Sequence, residues 1–203
     1  MSQQYFAPQP TSEHRYAQLS YTYRGHALSL QTDSGVFSKG EIDRGSDILL
    51  RALPQAFDGD VLDMGCGYGV IGLSVKAAFP AIRLTMADVN SRAVALCQQN
   101  ARQNRLGADV LESDGFAAIA ERRFDRVLLN PPIRAGKAVI YRMFADAARA
   151  LRPGGELWIV IRKQQGAPSA ITYLKTLYAK VEIVERESGY WVVRSQTSET
   201  PAI

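Results

Sequence analysis

Short apolar runs alternate with longer amphipathic segments along the chain from Asp60 onwards. Runs of the first kind are typical of strands, and segments whose apolar residues recur every three or four positions are typical of helices. Helices are predicted near residues 69–79, 90–104, 138–151 and 168–179. Strands are predicted near residues 60–63, 81–87, 108–112, 124–130, 155–161, 180–186 and 189–194. This alternation predicts a mostly parallel sheet with helices on both faces.

The boundaries of these segments refine the fold class. Asn90 is a candidate N-cap for the second helix, and Pro153-Gly154-Gly155 is expected to stop the third. Two strands follow one another around Ser188-Gly189 with no helix between them, which adds an antiparallel hairpin to one edge of the sheet. The sequence therefore predicts an α/β, Rossmann-like fold with a seven-stranded, mostly parallel sheet and an antiparallel C-terminal hairpin.

The N-terminal residues, 1–58, follow a different pattern. A polar arm over residues 1–19 precedes a predicted short β-hairpin, Leu19–Arg24 and Ala27–Gln31, which turns at Gly25-His26. A turn-rich loop then leads into a predicted helix near Ile42–Leu53. We expect the whole chain, 1–203, to form a single domain in which this N-terminal part precedes a Rossmann-like core over residues 59–196.

Composition narrows the classes of protein that fit. The net charge of +4 suits a nucleic-acid substrate without requiring one. Cys66 and Cys97 have no neighbours at zinc-ligand spacing, so both are expected to be reduced and no metal is predicted. There is no signal-peptide pattern and no apolar run near the ~18 residues of a membrane span, so a cytoplasmic protein without membrane association is expected. The pattern does not indicate an oligomeric state.

A glycine-rich segment, Asp63-Met64-Gly65-Cys66-Gly67-Tyr68-Gly69, separates the first strand of the core from its first helix. In such a turn, backbone N–H groups can receive a nucleotide-like ligand. Residues 67–72 match the dinucleotide fingerprint, so a nicotinamide-dependent dehydrogenase is one alternative. Asp63 disfavours it, because a carboxylate at this turn repels a pyrophosphate and attracts an ammonium or sulfonium group.

Polar residues follow five strands of the predicted core, namely Asp63, Asp88, Asp114, Asn130 and Lys163. In open α/β sheets, ligands bind outside the carboxyl ends of the strands. A carboxylate at Asp88 can accept the hydroxyls of a ribose, and one at Asp114 can accept an adenine amino hydrogen. Helix capping or turn formation is the structural alternative for both residues.

Asn130-Pro131-Pro132 follows the fourth strand of the core. Proline has no N–H, so two successive backbone donors are missing here. The Asn130 side-chain oxygen and the Pro131 carbonyl can together hold the two hydrogens of a planar –NH₂ group, which aims the nitrogen lone pair at an electrophilic methyl. Pro-Pro alone is more often only a turn, but its place after the fourth strand favours the catalytic interpretation, with Asn130, Pro131 and Pro132 as candidate catalytic residues.

These motifs carry a family resemblance. Asp63–Gly69, Asp88, Asn130–Pro132 and Arg152-Pro153-Gly154-Gly155 together resemble class I S-adenosylmethionine-dependent methyltransferases. Three further segments resemble the small-domain methyltransferases related to the 16S ribosomal RNA guanine-N2 methyltransferase C: Gly35-Val36-Phe37-Ser38, Asp43-Arg44-Gly45-Ser46 and Asn130 to Lys137. Two others, Trp158-Ile159-Val160 and Lys163 to Ala170, resemble the single-domain members of that group.

The resemblance implies S-adenosyl-L-methionine as cofactor and ribosomal RNA or the small ribosomal subunit as partner. It implies that Asn130 and Pro131 hold the guanine amino group. It implies a cofactor site of Asp63, Gly65 and Gly67 around the methionine part, Asp88 at the ribose, Asp114 at the adenine and Phe37 closing the pocket.

One position departs from the relatives that methylate amino groups, which often have an aromatic residue after Pro-Pro to stack on the base. This chain has Ile133, so stacking is expected from Phe37 or Tyr141, or else apolar contact replaces it. Basic residues nearby are candidates for binding the phosphate backbone. The predicted substrate-binding residues are Ile133, Arg134, Lys137 and Lys163, with Arg142 and Arg162 as further basic candidates.

The predicted function is methyl transfer to an exocyclic amino group, with guanine N2 of 16S ribosomal RNA as the first candidate. The Asn-Pro-Pro chemistry equally serves a protein amide or the amino group of a DNA adenine. A non-catalytic RNA-binding or ribosome-assembly module is the alternative from another class.

Overall fold

The computed structural model describes residues 13–34, 36 and 41–200. The helices are α1 (Arg44–Ala52), α2 (Val70–Ala78), α3 (Ser91–Gln103), α4 (Lys137–Ala150) and α5 (Ala167–Leu174). The strands are β1 (Ala17–Tyr23), β2 (His26–Thr32), β3 (Asp60–Met64), β4 (Arg83–Asp88), β5 (Asp109–Glu112), β6 (Phe124–Leu129), β7 (Leu151–Arg162), β8 (Lys180–Glu187) and β9 (Tyr190–Gln196). Strands β1 and β2 form an antiparallel hairpin, and the other seven strands form one sheet.

The order of strands in the large sheet is β5-β4-β3-β6-β7-β9-β8. The first five of these strands are mutually parallel, and β9 pairs antiparallel with both β7 and β8. The predicted seven-stranded, mostly parallel sheet with an antiparallel C-terminal hairpin is confirmed, as are the N-terminal hairpin and helix before it. The chain leaves β3 towards β4 on one side and returns to β6 on the other, so the switch in strand order falls at β3, where α/β proteins bind ligands.

Alternation along β3 divides the core into two halves. Val61 packs into the layer that contains α1, α2 and α3, whereas Leu62 and Met64 pack into the layer that contains α4 and α5. Because side chains point alternately to the two faces of a strand, Asp63 shares its face with Val61. The strand that carries Asp63 is therefore buried on both sides, which is the reason that Val61, Leu62 and Met64 are all apolar.

The N-terminal hairpin is attached to the core through the side-chain amide of Asn100, a fully buried residue of α3. Its Oδ1 accepts from Gln31 N at 2.8 Å, and its Nδ2 donates to Gln31 O at 2.9 Å, as a neighbouring strand would. The same Nδ2 donates to Tyr68 O in the glycine-rich turn at 2.8 Å. One buried side chain thus holds both the hairpin and the turn in place.

Several predicted boundaries differ from the structure, among them the end of α5, which lies at Leu174 where the sequence predicts residue 179. The hairpin turns at Arg24-Gly25, where φ is 49° and 83°, because paired left-handed residues match the twist of the flanking strands. Helix α4 ends at Ala150 and β7 begins at Leu151, so Pro153-Gly154-Gly155 follows the end of the helix as predicted but lies inside a strand that begins before it. The pairing of β6 with β7 shifts register opposite this segment, so the Pro-Gly-Gly run accompanies an irregularity in the ladder.

Candidate active site

Three of the predicted site residues meet at the carboxyl edge of the sheet. Met64 pairs with Ala87 of β4 and with Leu129 of β6, so the ends of these parallel strands lie side by side. Asp63 is the penultimate residue of β3, Asp88 is the last residue of β4, and Asn130 directly follows β6. The topology therefore brings the predicted cofactor residues next to the predicted catalytic residue.

Asp63 is almost completely buried, and its Oδ2 accepts from Gly72 N at 2.8 Å. Burial raises the pKa of this carboxyl to about 7, the Gly72 N–H opposes that rise, and the charge of Asp88 adds to it. A cation bound near Asp63 would favour its ionised form. The site therefore contains a carboxyl whose charge responds to what binds beside it.

The backbone amides of the glycine-rich turn are bonded within the protein. Gly65 N and Cys66 N donate to Ala87 O at 2.8 and 3.1 Å, and Gly67 N donates to Asp88 Oδ2 at 2.9 Å. The expectation that amides of the turn receive a ligand is not met at these three positions, because the turn folds back onto the end of β4. A pyrophosphate would lack these donors, which disfavours a dinucleotide cofactor.

The glycines of the turn fall into two kinds. Among the described residues, a Cβ on Gly65 would meet no atom within 4 Å, and one on Gly67 would meet only Val36 Cγ1 at 4.0 Å. A Cβ on Gly69 would lie 2.9 Å from Cys97 Sγ, and one on Gly72 would lie 3.0 Å from Asp63 Oδ2. Within the part of the chain that the structure describes, the first two glycines thus border open space beside two carboxylates, whereas the last two allow α2 to pack closely. Space and acceptors of this kind fit the ammonium and ribose groups of S-adenosylmethionine.

Asp88 is held on both oxygens. Its Oδ1 accepts from Asn90 N and its Oδ2 from Gly67 N, each at 2.9 Å. Burial raises the pKa of Asp88, and these backbone N–H groups oppose the rise. A carboxylate oxygen can accept more than one hydrogen bond, so both oxygens retain capacity for ligand hydroxyls. The adjacent Asn90 caps α3 as predicted, with its side chain accepting from Arg92 N and Ala93 N.

The side chain of Asn130 is oriented by the start of α1. Its Nδ2 donates to Asp43 Oδ2 at 2.8 Å and to Ser46 Oγ at 3.0 Å. Asp43 is also the N-cap of α1, accepting from Ser46 N. With its nitrogen engaged, Asn130 has Oδ1 left as its acceptor. Sequence reasoning did not assign a role to Asp43 or Ser46, although Asp is a favoured N-cap residue.

The residues after Asn130 form a tight turn. Pro132 O accepts from Ala135 N at 2.8 Å, within a 3-10 turn over Ile133–Ala135. Of the two proline carbonyls, the one at Pro131 is therefore the candidate acceptor for a substrate. Ile133 is half-buried and packs against the core layer of α4 and α5.

Asp114 lies apart from these residues. Its side chain is 75% exposed and pairs with Arg142, with 3.3 Å between Arg142 Nη2 and Asp114 Oδ1. It follows β5, which is two strands away from β3. Its proposed contact with adenine stays a prediction. Phe37, the other predicted closing residue, lies outside the described residues.

Basic residues surround the acceptor motif at the surface. Arg134, Lys137 and Lys163 are all exposed, and they follow β6 and β7, two parallel strands that end at the same edge. The Tyr141 ring stacks on Tyr173 with centroids 4.1 Å apart, and Lys137 Nζ lies 5.0 Å from the Tyr141 centroid. Tyr141 is therefore engaged within the protein, and stacking by Phe37 or apolar contact at Ile133 stays a prediction.

One further polar group at this edge was not predicted. The Tyr68 hydroxyl is buried and has no hydrogen-bond partner among the described residues. Burial, and then the nearby charge of Asp43, raise the pKa of Tyr68.

The described residues contain no group of three or more His, Cys, Asp or Glu side chains able to hold a metal ion. No helix in the described ranges is long and apolar enough to cross a bilayer.

Fold and site together define a Rossmann-like methyltransferase that uses S-adenosylmethionine. The structure aligns with that described as T. thermophilus 16S rRNA N2 G1207 methyltransferase (RsmC) in complex with AdoMet and guanosine, with a TM-score of 0.81 and 27% identity over 90% of this chain and 50% of that one. The chain belongs to the methyltransferase small domain family, whose model matches residues 27–194.

Relatives of similar sequence are of two lengths. The chain is 41% identical to "Uncharacterized protein YbxB" of Bacillus subtilis, covering 97% of this chain and 99% of the relative. It is 45% identical to "Ribosomal RNA small subunit methyltransferase C" of Pasteurella multocida, over 66% of this chain and 42% of the relative. It is 34% identical to "Ribosomal RNA large subunit methyltransferase G" of Photobacterium profundum, over 84% of this chain and 47% of the relative. The chain thus spans less than half of these two ribosomal RNA methyltransferases.

Proposed function

We propose that this protein transfers a methyl group from S-adenosylmethionine to an exocyclic amino group of ribosomal RNA, with guanine N2 of 16S RNA as the target. The observation that carries the proposal is the orientation of Asn130. Its nitrogen is bound to Asp43 and Ser46, so it offers an oxygen to the site. An oxygen acceptor at this position suits a substrate that brings N–H donors.

The cofactor side of the site consists of Asp63, Gly65, Gly67 and Asp88 in this proposal. S-adenosylmethionine, when bound, supplies an electrophilic methyl on a sulfonium centre. Asp63 favours the positive charge of the methionine part, and Asp88 accepts from the ribose hydroxyls. Contacts of Asp114 with the adenine and of Phe37 with the closed pocket complete the assignment.

On the acceptor side, Asn130 Oδ1 and the Pro131 carbonyl accept the two hydrogens of the amino group. This holds the nitrogen lone pair towards the methyl, an orientation effect worth several kcal/mol. Pro132 shapes the turn that places Pro131. Transfer would break the methyl–sulfur bond, leaving a neutral thioether, as the methyl–nitrogen bond forms. The nitrogen would then carry a positive charge until it lost a proton to solvent, so the site needs no strong base.

Binding of RNA is assigned to the exposed residues around this motif. Arg134, Lys137 and Lys163 are placed to meet phosphates near the reacting base. Ile133 provides apolar contact with the base itself. A base within a duplex must be unstacked to enter, at a cost of a few kcal/mol, which these contacts help to offset.

Two features support one functional unit over residues 1–203. Asp43 and Ser46 belong to the N-terminal part, and they complete a site whose other residues belong to the core. The family model likewise extends from residue 27 to residue 194 without division. We infer that the hairpin and α1 are an integral part of the methyltransferase domain.

Transfer of labelled methyl from S-adenosylmethionine tests the proposal directly. Under-methylated small subunits, large subunits, naked RNA, DNA and total protein are each incubated with the protein, with Asn130→Ala as the matched inactive control. We expect label in 16S RNA, recovered as N2-methylguanosine after digestion. Label in large-subunit RNA would show that the target lies in that subunit. Label in protein or DNA would show that the substrate is not RNA. Cofactor binding without any transfer would favour a non-catalytic RNA-binding or assembly role.

A further inference from the structure

We propose that Asp43, together with Ser46, is a positioning residue that makes Asn130 an acceptor-only group and so selects substrates that present N–H donors. The inference rests on the proposed amino-group transfer and extends it to a residue outside the Asn-Pro-Pro motif. Asp43 is 87 positions from Asn130 in sequence, so no local pattern reveals the pairing.

The first step is the identity of the atoms involved. The Asn130 amide has two N–H hydrogens, and two oxygens at the start of α1 lie within hydrogen-bond distance of its nitrogen, Asp43 Oδ2 at 2.8 Å and Ser46 Oγ at 3.0 Å. An ionised carboxylate can only accept. If the amide were rotated by half a turn, its oxygen would face the Asp43 carboxylate, and the two acceptors would repel. Asp43 therefore determines which atom Asn130 presents to the site.

The second step is the network around Asp43. The same Oδ2 accepts from Ser46 N at 2.9 Å, and Ser46 Oγ lies 3.4 Å from it. When the Ser46 hydroxyl donates to Asp43, its lone pairs are left for Asn130. Ser46 is only 4% exposed, so water does not compete freely for these bonds. The two residues thus act on Asn130 in the same sense.

The third step is the packing that keeps the carboxylate in place. A Cβ on Gly45 would lie 3.0 Å from Asp43 Oδ2 and 3.1 Å from Tyr190 Cε1. The backbone at Gly45 therefore approaches both the carboxylate and the Tyr190 ring more closely than most residues allow. Capping of α1 restrains Asp43 from the other side. The carboxylate has little freedom to turn away from Asn130.

The variant that tests this arrangement is Asp43→Ser. Serine is a good N-cap, so α1 keeps its first hydrogen bond, but its short side chain does not reach Asn130 as a carboxylate does. Asp43→Asn is the conservative rescue, because its amide oxygen can accept from both Ser46 N and Asn130. Asp47→Ser is the matched control: Asp47 lies in the same first turn but bonds to Tyr21 and Arg51.

A first readout needs no substrate. Proton NMR of the Asn130 side-chain –NH₂ reports its hydrogen exchange with solvent in the cofactor-free protein. We expect exchange about ten-fold faster in Asp43→Ser than in the unmodified protein, because a hydrogen bond of ordinary strength is lost. Asp43→Asn should recover most of the protection, and Asp47→Ser should match the unmodified protein. Equal exchange in Asp43→Ser and the unmodified protein would overturn the inference.

A second readout separates positioning from folding. We expect kcat of Asp43→Ser to fall about ten- to hundred-fold, the effect of a misplaced group, while cofactor affinity stays within about two-fold. Asp43→Asn should regain most of the lost rate. An unchanged kcat in Asp43→Ser, measured where the unmodified protein is active, would refute the inference alone. If the unmodified protein methylates nothing, the proposed function fails and the exchange experiment by itself decides the role of Asp43.

Discussion

The two halves of the site are built differently. On the cofactor side, Asp63 bonds to Gly72, nine positions away, and Asp88 bonds to Gly67, 21 positions away. On the acceptor side, Asn130 bonds to residues 84 and 87 positions away. The carboxylates lie on β3 and β4 and are held by backbone amides of the segment that joins these two strands. Asn130 is held by side chains at the start of a separate N-terminal helix. A cofactor half of this kind can be recognised as a motif, but an acceptor half requires the folded chain.

The largest effect that separates the halves is expected for Asn130→Ala. Loss of the acceptor that orients the amino group should lower kcat about 10²- to 10³-fold, as for other donors or acceptors aimed at a reacting centre. Cofactor affinity should stay within a few-fold, because Asp63 and Asp88 are untouched. Single-turnover methyl transfer and calorimetric titration with S-adenosylmethionine measure the two quantities. A large loss of cofactor affinity would show that the halves are not separable.

The reciprocal change, Asp88→Ala, should act on the cofactor. Its loss removes acceptors for the ribose and the partner of Gly67 N, so affinity for S-adenosylmethionine should fall about ten- to hundred-fold. At saturating cofactor the rate should recover to a greater extent than in Asn130→Ala. Asp88→Asn separates the two contributions, since its amide oxygen can still accept from Gly67 N. If Asp88→Ala instead lowered kcat with affinity unchanged, the assignment of the two halves would be reversed.

The placement of Asp63, Asp88 and the glycine-rich turn at one edge of the sheet could be predicted from the sequence, because apolar runs, glycines and terminal carboxylates follow one another over a short stretch of chain; their contacts with the cofactor stay predictions. Three aspects of the site could not. The amides of Gly65, Cys66 and Gly67 are bonded to β4, and a sequence motif does not show which donors the fold consumes. An Asp before a predicted helix, as at Asp43, indicates a helix cap without indicating what the cap faces. Tyr141 is an available aromatic in the sequence, but the fold stacks it on Tyr173.

The start of β7 could not be predicted for a related reason. Pro153-Gly154-Gly155 is a helix-stopping sequence, yet α4 ends before it and β7 passes through it. A proline disfavours helical backbone at the residue before it, so the chain is already extended when it reaches Pro153. Pairing with β6, a contact made by a distant segment, then determines that this stretch is a strand.

A smaller effect on the cofactor half follows from the titration of Asp63. Its pKa in the folded protein is about 7, above the ordinary value, so the cofactor-free protein takes up a proton at Asp63 as the pH falls through 7. A bound cation favours the ionised carboxylate, and binding must then expel this proton. Affinity for S-adenosylmethionine should therefore fall as the pH is lowered from 7, by up to about ten-fold per pH unit, and should be level just above 7.

Asp63→Asn is the control for this pH dependence. The variant should bind S-adenosylmethionine more weakly than the unmodified protein at about pH 7.5. Its plot of log Kd against pH should have a slope shallower by about one proton between roughly pH 5.5 and 7. Burial also raises the pKa of Asp88, so Asp88→Asn is measured alongside to show whether Asp88 contributes to any slope that remains. Calorimetry in buffers of different ionisation enthalpy measures proton release independently. Equal slopes in the unmodified protein and in Asp63→Asn would place the titrating group elsewhere.

The smallest effect is expected at the rim, from Lys163→Gln. Lys163 is exposed and follows β7, whereas Asn130 follows the neighbouring β6. Removal of one phosphate contact should weaken RNA binding only a few-fold at moderate salt. It should also lower the slope of log Kd against log salt concentration by about one. Transfer at saturating RNA and affinity for S-adenosylmethionine should not change. Lys180→Gln is the matched control. Lys180 begins β8, the outermost strand of the sheet, which pairs with β9, and its side chain already pairs with Glu182. If both substitutions reduced RNA affinity equally, the basic charge would act diffusely, and the acceptor half would extend no further than Asn130 and the helix that orients it.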